Sequence, residues 1–296
     1  MTLFNRAPLS PMVALAGALL VLATLFLATS VTAKPTHQSG LSPQLKSSSV
    51  LVFDQSDATV LYSRHSDVAA PIASITKLMT ALVVLDAKQP LDQRITITRA
   101  ETELHKDRGS RLTVGTELSR GDLMHLALMS SENRAAHALA VNYPGGVPAM
   151  VKAMNVKAAA LGMTTARFVD PTGLSSDNVA SPEDLSKLVV AASHSAHIRE
   201  YSTDDRFRVR VRNRLIEFRN TDNLVANPAW NIIVQKTGYI AEAGKCLVME
   251  AVIEGRNIVI VLLDSTGRRT RVADAKRVKS WMEATALRRG AQVSMR

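Results

Sequence analysis

One cysteine, Cys246, stands in 296 residues, so no intramolecular disulfide and no thiolate metal cluster can form. It sits in the apolar stretch Cys246-Leu247-Val248-Met249, which suits a buried, inert thiol. No internal repeat is visible and no HExxH motif occurs. His194 and His197 lack a third ligand at convincing spacing, so neither a metal nor a cofactor is expected. Acidic residues are in deficit, 26 against 36 lysines and arginines, for a formal charge of +10. So basic a chain favours anionic partners: nucleic acid, acidic lipid or an acidic polymer. Beyond Ala28 no segment is long and apolar enough to cross a bilayer. The 46% hydrophobic and 21% charged content nevertheless provides for a folded core.

The one long apolar run is Met12 to Ala28. Arg6 is the only charge near it, and Val31-Thr32-Ala33 offers small residues for cleavage. Residues 1–33 therefore read as a secretory signal peptide, with a retained anchor as the alternative. Its removal lowers the formal charge to +9. Export makes nucleic acid the least expected anionic partner. Residues 34–48, rich in Ser, Pro, Gln and Thr, read as a flexible leader.

Two short strands are expected at Ser49–Asp54 and Thr59–Arg64, and a third at Arg94–Thr98. His105–Thr113 reads as a charged surface excursion. Ser119-Arg120-Gly121-Asp122 has capping-box form ahead of a helix over Leu123–Met129, and further helices follow at Arg134–Val141 and Val147–Leu161. Ser181-Pro182-Glu183-Asp184 starts another, over Leu185–Ala192. Strands return from Phe207, run through Trp230–Tyr239, and close in a hairpin of Cys246–Ile253 and Asn257–Leu263. An amphipathic helix, Arg271–Arg289, and a tail at 291–296 finish the chain. Strands at both ends around a helical middle predict an α+β fold. One antiparallel sheet is built from both chain ends and flanked by helices, within a domain at 49–290 that carries a helical insertion subdomain at about 87–200.

Ser74-Ile75-Thr76-Lys77 follows Pro71 and precedes the apolar run Leu78–Leu85, which places Ser74 in a first helical turn with Lys77 on the same face. A serine hydroxyl becomes a useful nucleophile when a base takes its proton, and an amine serves only if neutral. The helix start also offers unpaired N–H groups for an oxyanion. Alone, the tetrad is too short to be specific. Two further motifs follow in order: Ser131-Glu132-Asn133 between two helices, and Lys236-Thr237-Gly238 in the apolar run Ile232–Ile240. SxxK, SxN and KTG in this order form the signature set of penicillin-binding proteins and class A β-lactamases. Ser176-Asp177-Asn178 is a rival second motif, in a loop where Asp177 and Asn178 also suit turn formation. The inter-helix position favours Ser131 and Asn133.

These segments, with Phe168-Val169-Asp170-Pro171-Thr172-Gly173-Leu174, resemble the low-molecular-mass penicillin-binding proteins, serine-type D-Ala-D-Ala peptidases, over about Ser49–Trp281. The endopeptidase branch is the most similar. The resemblance implies a penicillin-binding-protein/β-lactamase-like fold, a periplasmic location, peptidoglycan cross-links as substrate and β-lactam antibiotics as covalent inhibitors. It implies acylation of Ser74 with Lys77 as base, burial and the nearby Lys236 favouring the neutral amine. Ser131 would relay the proton to the leaving amine and Asn133 would hold the substrate amide. Lys236, Thr237 and Gly238 would line the strand that an extended peptide joins. Backbone N–H groups of Ser74 and Tyr239 would form the oxyanion hole, and Arg271 would meet a terminal carboxylate.

A D-Ala-D-Ala carboxypeptidase shares every motif. The short stretch after Gly238 leaves no room for the extra domain or membrane-binding tail that such carboxypeptidases often carry, which favours the endopeptidase. A β-lactamase needs a carboxylate that drives deacylation, for which Glu183, Asp184, Glu200 and Asp170 offer no clear candidate. Arg206, Arg208, Arg210, Arg212 and Arg214 alternate with Phe207, Val209, Val211 and Asn213. In a strand this sets five cations on one face, either solvated or docking wall strands or anionic lipid.

Overall fold

The computed structural model describes residues 42–103, 110–267 and 269–294. The expected signal peptide, the first part of the leader and most of the charged excursion lie outside these residues. In chain order the elements begin with β1 (Ser47–Asp54), β2 (Thr59–Arg64) and β3 (Ala70–Pro71). A 3-10 turn at Ala73–Ile75 leads into α1 (Thr76–Asp86). Then come β4 (Arg94–Thr96), α2 (Arg99–Glu103), β5 (Glu117–Ser119), α3 (Arg120–Met129), α4 (Asn133–Val141) and α5 (Gly146–Ala160). The chain continues with β6 (Val179–Ala180), α6 (Pro182–Ser193), α7 (Ala196–Thr203), β7 (Arg206–Val211) and β8 (Arg214–Arg219). It ends with β9 (Asn231–Ile240), β10 (Gly244–Ile253), β11 (Arg256–Ser265) and α8 (Thr270–Ser294).

The main sheet is antiparallel, in the order β2-β1-β11-β10-β9, so the first strands pair with the last and β9 forms one edge. Both faces are covered, which is why these strands read as continuous apolar runs. Leu51, Val261 and Val248 stand in one cross-strand row and face α1, α3 and α6. Lys236 is the next member of that row on β9, and it is fully buried. The alternate residues Val50, Ile260, Leu247 and Met249 pack on Ala275, Val278 and Met282 of α8. Each such side chain contributes about 1.5–3 kcal/mol by burial.

Local signals act as anticipated where polar caps are concerned. Ser119 Oγ accepts from Asp122 N at 3.0 Å while Asp122 Oδ2 accepts from Ser119 N at 3.3 Å. Ser181 Oγ accepts from Asp184 N at 3.2 Å ahead of Pro182, starting α6. Other segments depart from expectation. The leader stiffens early because Asp274 Oδ2 on α8 accepts from Lys46 N, Ser47 N and Ser47 Oγ at 2.7–2.9 Å. The helix α8 continues through the expected tail as far as Ser294. The arginine-rich stretch does not form one strand. It reverses at Arg212, whose φ is +52°, so Arg206, Arg208 and Arg210 lie on β7 and Arg214 starts β8.

Candidate active site

Ser74 lies in the 3-10 turn that feeds α1, rather than in the α-helix itself. The turn is tight because Ala73 adopts a left-handed backbone, φ +48°. Two glycines let other backbones press against it. A Cβ on Gly173 would lie 1.9 Å from the Ala73 carbonyl oxygen, and one on Gly238 would lie 2.8 Å from that of Ile72. Edge strand β9 therefore runs hard against the serine turn.

Lys77, one turn further on, is fully buried. Its Nζ is 2.8 Å from Ser74 Oγ, 2.8 Å from Asn133 Oδ1 and 2.6 Å from the Thr172 carbonyl oxygen. An ammonium has three N–H groups, whereas the amine has two and a lone pair. The Asn133 and Thr172 oxygens accept only, so they hold two N–H groups in either state. Loss of the third proton thus leaves the lone pair aimed at Ser74 Oγ. Burial brings the Lys77 pKa down from 10.5 to about 7, while the carboxylates of Asp170 and Glu132 pull it back up. Burial, not a neighbouring cation, is the larger cause.

Lys236 has the same difficulty. Burial and the charges of Lys77 and Arg271 push it well below the ordinary lysine range, with Asp222 opposing. Its Nζ donates to the Thr237 carbonyl at 3.0 Å. Two buried amines in one electrostatic neighbourhood disfavour a state with both charged.

Ser131 is the middle residue of the three-residue connection between α3 and α4, which Ser130 N and Glu132 N fix by donating to Leu126 O, each at 3.1 Å. Ser131 itself is left-handed, φ +59°. Glu132 caps α4 by accepting from Arg134 N at 3.2 Å, which starts the helix at Asn133. Direct hydrogen bonds thus join Ser74, Lys77 and Asn133. Ser131 is tied to this trio by chain position, and Lys236 by charge.

Thr237 Oγ1 lies 2.6 Å from Thr221 Oγ1, and Thr221 N donates to Met129 O at 3.1 Å, joining β9 to the end of α3. The Tyr239 ring is 59% exposed beneath Lys245 Nζ at 4.3 Å. Arg271 Nη1 donates to the Gly238 carbonyl at 2.9 Å and the Cys246 carbonyl at 3.3 Å, clipping β9 to β10. Cys246 is a buried thiol whose pKa burial pushes up to about 11.

The rival motif is placed elsewhere. Asn178 is fully buried, and its Oδ1 accepts from Val169 N at 2.7 Å and Asp170 N at 3.2 Å. Its Nδ2 donates to Thr76 Oγ1 at 3.1 Å and Asp170 O at 2.9 Å. It ties the 165–180 loop to the root of α1. The carboxylates weighed for deacylation also have structural partners. Asp170 accepts from Thr172 N, Thr172 Oγ1, Gly173 N and Ser175 N at 2.6–3.0 Å. Asp184 accepts from Thr165 N and Oγ1, both at 2.7 Å, and Glu183 accepts from Ser66 Oγ at 2.8 Å. His194 caps α6, and the ring of His197 lies 5.7 Å from that of Tyr201.

Neither the Thr172 carbonyl nor Thr221 is marked by any sequence signal. A carbonyl is common to every residue, and Thr221 belongs to no motif. Asp222, buried beside Lys236 and Arg271, likewise belongs to no motif.

A serine and an asparagine thus meet on one buried amine of lowered pKa, beside an edge strand. The family profile described as D-alanyl-D-alanine carboxypeptidase aligns with residues 34–267. The chain belongs to this family of serine D,D-peptidases. It is 50% identical over 273 residues to a D-alanyl-D-alanine endopeptidase of Pseudomonas aeruginosa, covering 90% of this chain and 88% of the relative. It is 44% identical to a D-alanyl-D-alanine endopeptidase of Escherichia coli, over 89% and 86% of the two chains. Among solved structures, the DD-transpeptidase of Streptomyces K15 superposes with a TM-score of 0.77 at 26% identity, covering 83% of this chain and 100% of that one. The family has the penicillin-binding-protein fold, so the α+β expectation holds.

Proposed function

We propose that this peptidase acts in the periplasm and hydrolyses D-Ala cross-links of peptidoglycan through an acyl-enzyme on Ser74, the serine that penicillins also acylate. The contact of Lys77 Nζ with Ser74 Oγ at 2.8 Å, in a site that lowers the amine's pKa to about 7, carries this reading. Ser74 Oγ attacks the D-Ala carbonyl carbon and its proton passes to Lys77. The Ser74 and Tyr239 N–H groups receive the oxyanion. Collapse breaks the amide bond, and the leaving amine takes a proton through Ser131. Water then attacks the ester, returning Ser74 and releasing a carboxylate. Asn133 holds the acyl-side amide, and the substrate strand lies along β9 beside Lys236, Thr237 and Gly238. Arg271 has N–H groups beyond Nη1 to offer a carboxylate. The relatives named endopeptidase support the cross-link as substrate. Residues 1–33 support export, and no helix among the described residues is long and apolar enough to cross a membrane. The basic charge supports loose attachment to an anionic wall or membrane surface.

Intact-mass spectrometry after exposure to a penicillin tests the chemistry: the expected result is a single adduct, absent from Ser74→Ala. Purified cross-linked muropeptide dimers test the bond: conversion to monomers is expected. Trimming of free pentapeptides with dimers left intact assigns a carboxypeptidase instead.

A further inference from the structure

The β7–β8 hairpin, residues 206–219, holds six arginines and one acid, Glu217. Directly opposed residues of an antiparallel pair share a face. The register sets Arg206 opposite Arg219, Arg208 opposite Glu217 and Arg210 opposite Leu215. Val209, Val211 and Phe218 form the other face and are buried. Glu217 is shared among Arg208 at 2.8 Å, Arg219 at 3.3 Å and Arg206 at 3.9 Å. On this face Arg210 is exposed and has no carboxylate within ion-pair distance among the described residues, whereas Arg214, opposite Val211, belongs to the other face. The outer face therefore carries a surplus of guanidinium groups that the fold does not neutralise.

The hairpin is also held rigidly beside the catalytic cleft. Thr221, two residues past β8, bonds to both Met129 and Thr237, so the foot of the hairpin is part of the cleft wall. At the far end Arg212 Nη2 donates to the Val114 carbonyl at 2.9 Å. Arg111 Nη1 donates to the Glu217 carbonyl at 2.6 Å, with its guanidinium 3.9 Å from the Phe218 ring centre. A six-residue strand spans about 20 Å, and alternate side chains recur every ~7 Å along it. Guanidinium forks match carboxylates bidentately.

We infer that the outer face of this hairpin is a docking surface for the carboxylate-bearing peptides of a wall strand whose cross-link lies in the cleft. The inference rests on the function proposed above. The chemistry favours a polyanionic strand over a lipid surface. Arg212 at the tip is folded back onto the body, and Leu215, 62% exposed, is the single large apolar side chain on the outer face. A flat, rigid row of spaced cations suits a chain with repeated carboxylates. Shallow membrane insertion calls for an apolar patch. Such a face raises affinity for the polymer and leaves acylation by a small penicillin untouched.

The test uses R208Q/R210Q, because both residues lie on the outer face and Glu217 keeps Arg206 and Arg219 as partners. Full-length S74A protein, with and without this pair of changes, is sedimented with purified wall sacculi. Parallel samples are mixed with vesicles of equal parts phosphatidylglycerol and phosphatidylethanolamine. The dissociation constant for sacculi is expected to rise about three- to tenfold, and binding of the parent to weaken with added salt. With Ser74 present, penicillin acylation by R208Q/R210Q is expected at the unaltered rate, which also shows the variant is folded. Unchanged sacculus affinity overturns the inference, as does loss of vesicle binding with sacculus binding intact, which assigns the face to lipid. Failure of penicillin to acylate Ser74 overturns the peptidase reading, a separate result.

Discussion

The protonation state of Lys77 should set the pH dependence of acylation. A lysine with pKa 10.5 is neutral in about one molecule in 3,000 at pH 7, whereas one with pKa about 7 is neutral in about half. Burial therefore raises the competent fraction by about three orders of magnitude. The second-order rate constant for penicillin acylation, followed by stopped-flow fluorescence from pH 5.5 to 9.5, should fall about tenfold per unit below the inflection. It should level off above pH 8. Glu132→Gln provides the directed perturbation. Its amide oxygen still accepts from Arg134 N, so the α4 cap survives, but a carboxylate that favours the Lys77 ammonium is gone. The inflection should move to lower pH, and acylation at pH 6 should be faster than in the parent. An inflection near pH 10, a flat profile, or a shift to higher pH in Glu132→Gln would refute the neutral-lysine argument.

Asn133→Ala removes an acceptor from Lys77 Nζ and should lower the acylation rate by at least about 100-fold with little change in Tm. Asn178→Ala removes four buried hydrogen bonds and should cost about 3 kcal/mol. That corresponds to a Tm lower by about 6–12 °C in differential scanning calorimetry, and the reverse pattern would move the site to the 176–178 segment. Gly238→Ala places a methyl 2.8 Å from the Ile72 carbonyl and 3.2 Å from Ser74 N, so it must displace either β9 or the serine turn. Acylation should fall about 100-fold in a protein whose far-ultraviolet circular dichroism matches the parent, and normal acylation would show that the turn moves freely.

The sheet was legible because its two-sided burial leaves long apolar runs at both chain ends. The capped helices were legible because Ser119 and Ser181 act locally. What escaped the sequence depends on tertiary partners. Helix α7 carries few apolar residues and is held by contacts of Ile198 and Tyr201 with the core. Strands β3 and β6 are two residues each and exist only as a mutual pair. The arginine stretch alternated as a strand should, yet no pattern marks the reversal at Arg212, whose left-handed backbone is unusual for that residue. At the site, SxxK and SxN contain the three side chains that hydrogen bonds join, Ser74, Lys77 and Asn133. Their electrostatics required the fold, since nothing in a motif states that Lys77 and Lys236 are both fully buried.

Those two lysines mark where the fold is weakened to make chemistry possible. Lys77 has its ordinary pKa of 10.5 in the unfolded chain and about 7 in the native one. Between these values the unfolded state binds the extra proton, so stability from this group rises with pH across the window and is lowest below about pH 7. A shift of this size is equivalent to about 5 kcal/mol at neutral pH and below. The left-handed Ala73 and Ser131 add about 1–3 kcal/mol each. Opposing this, the apolar rows on both sheet faces and the Asp274 clamp join the two chain ends across the back of the site. A replacement such as Lys77→Met would relieve the buried charge but leave Asn133 Oδ1 and the Thr172 carbonyl without their donor. The instability is thus not removable by packing alone. The geometry that aims a lone pair at Ser74 is the same geometry that keeps the amine out of water.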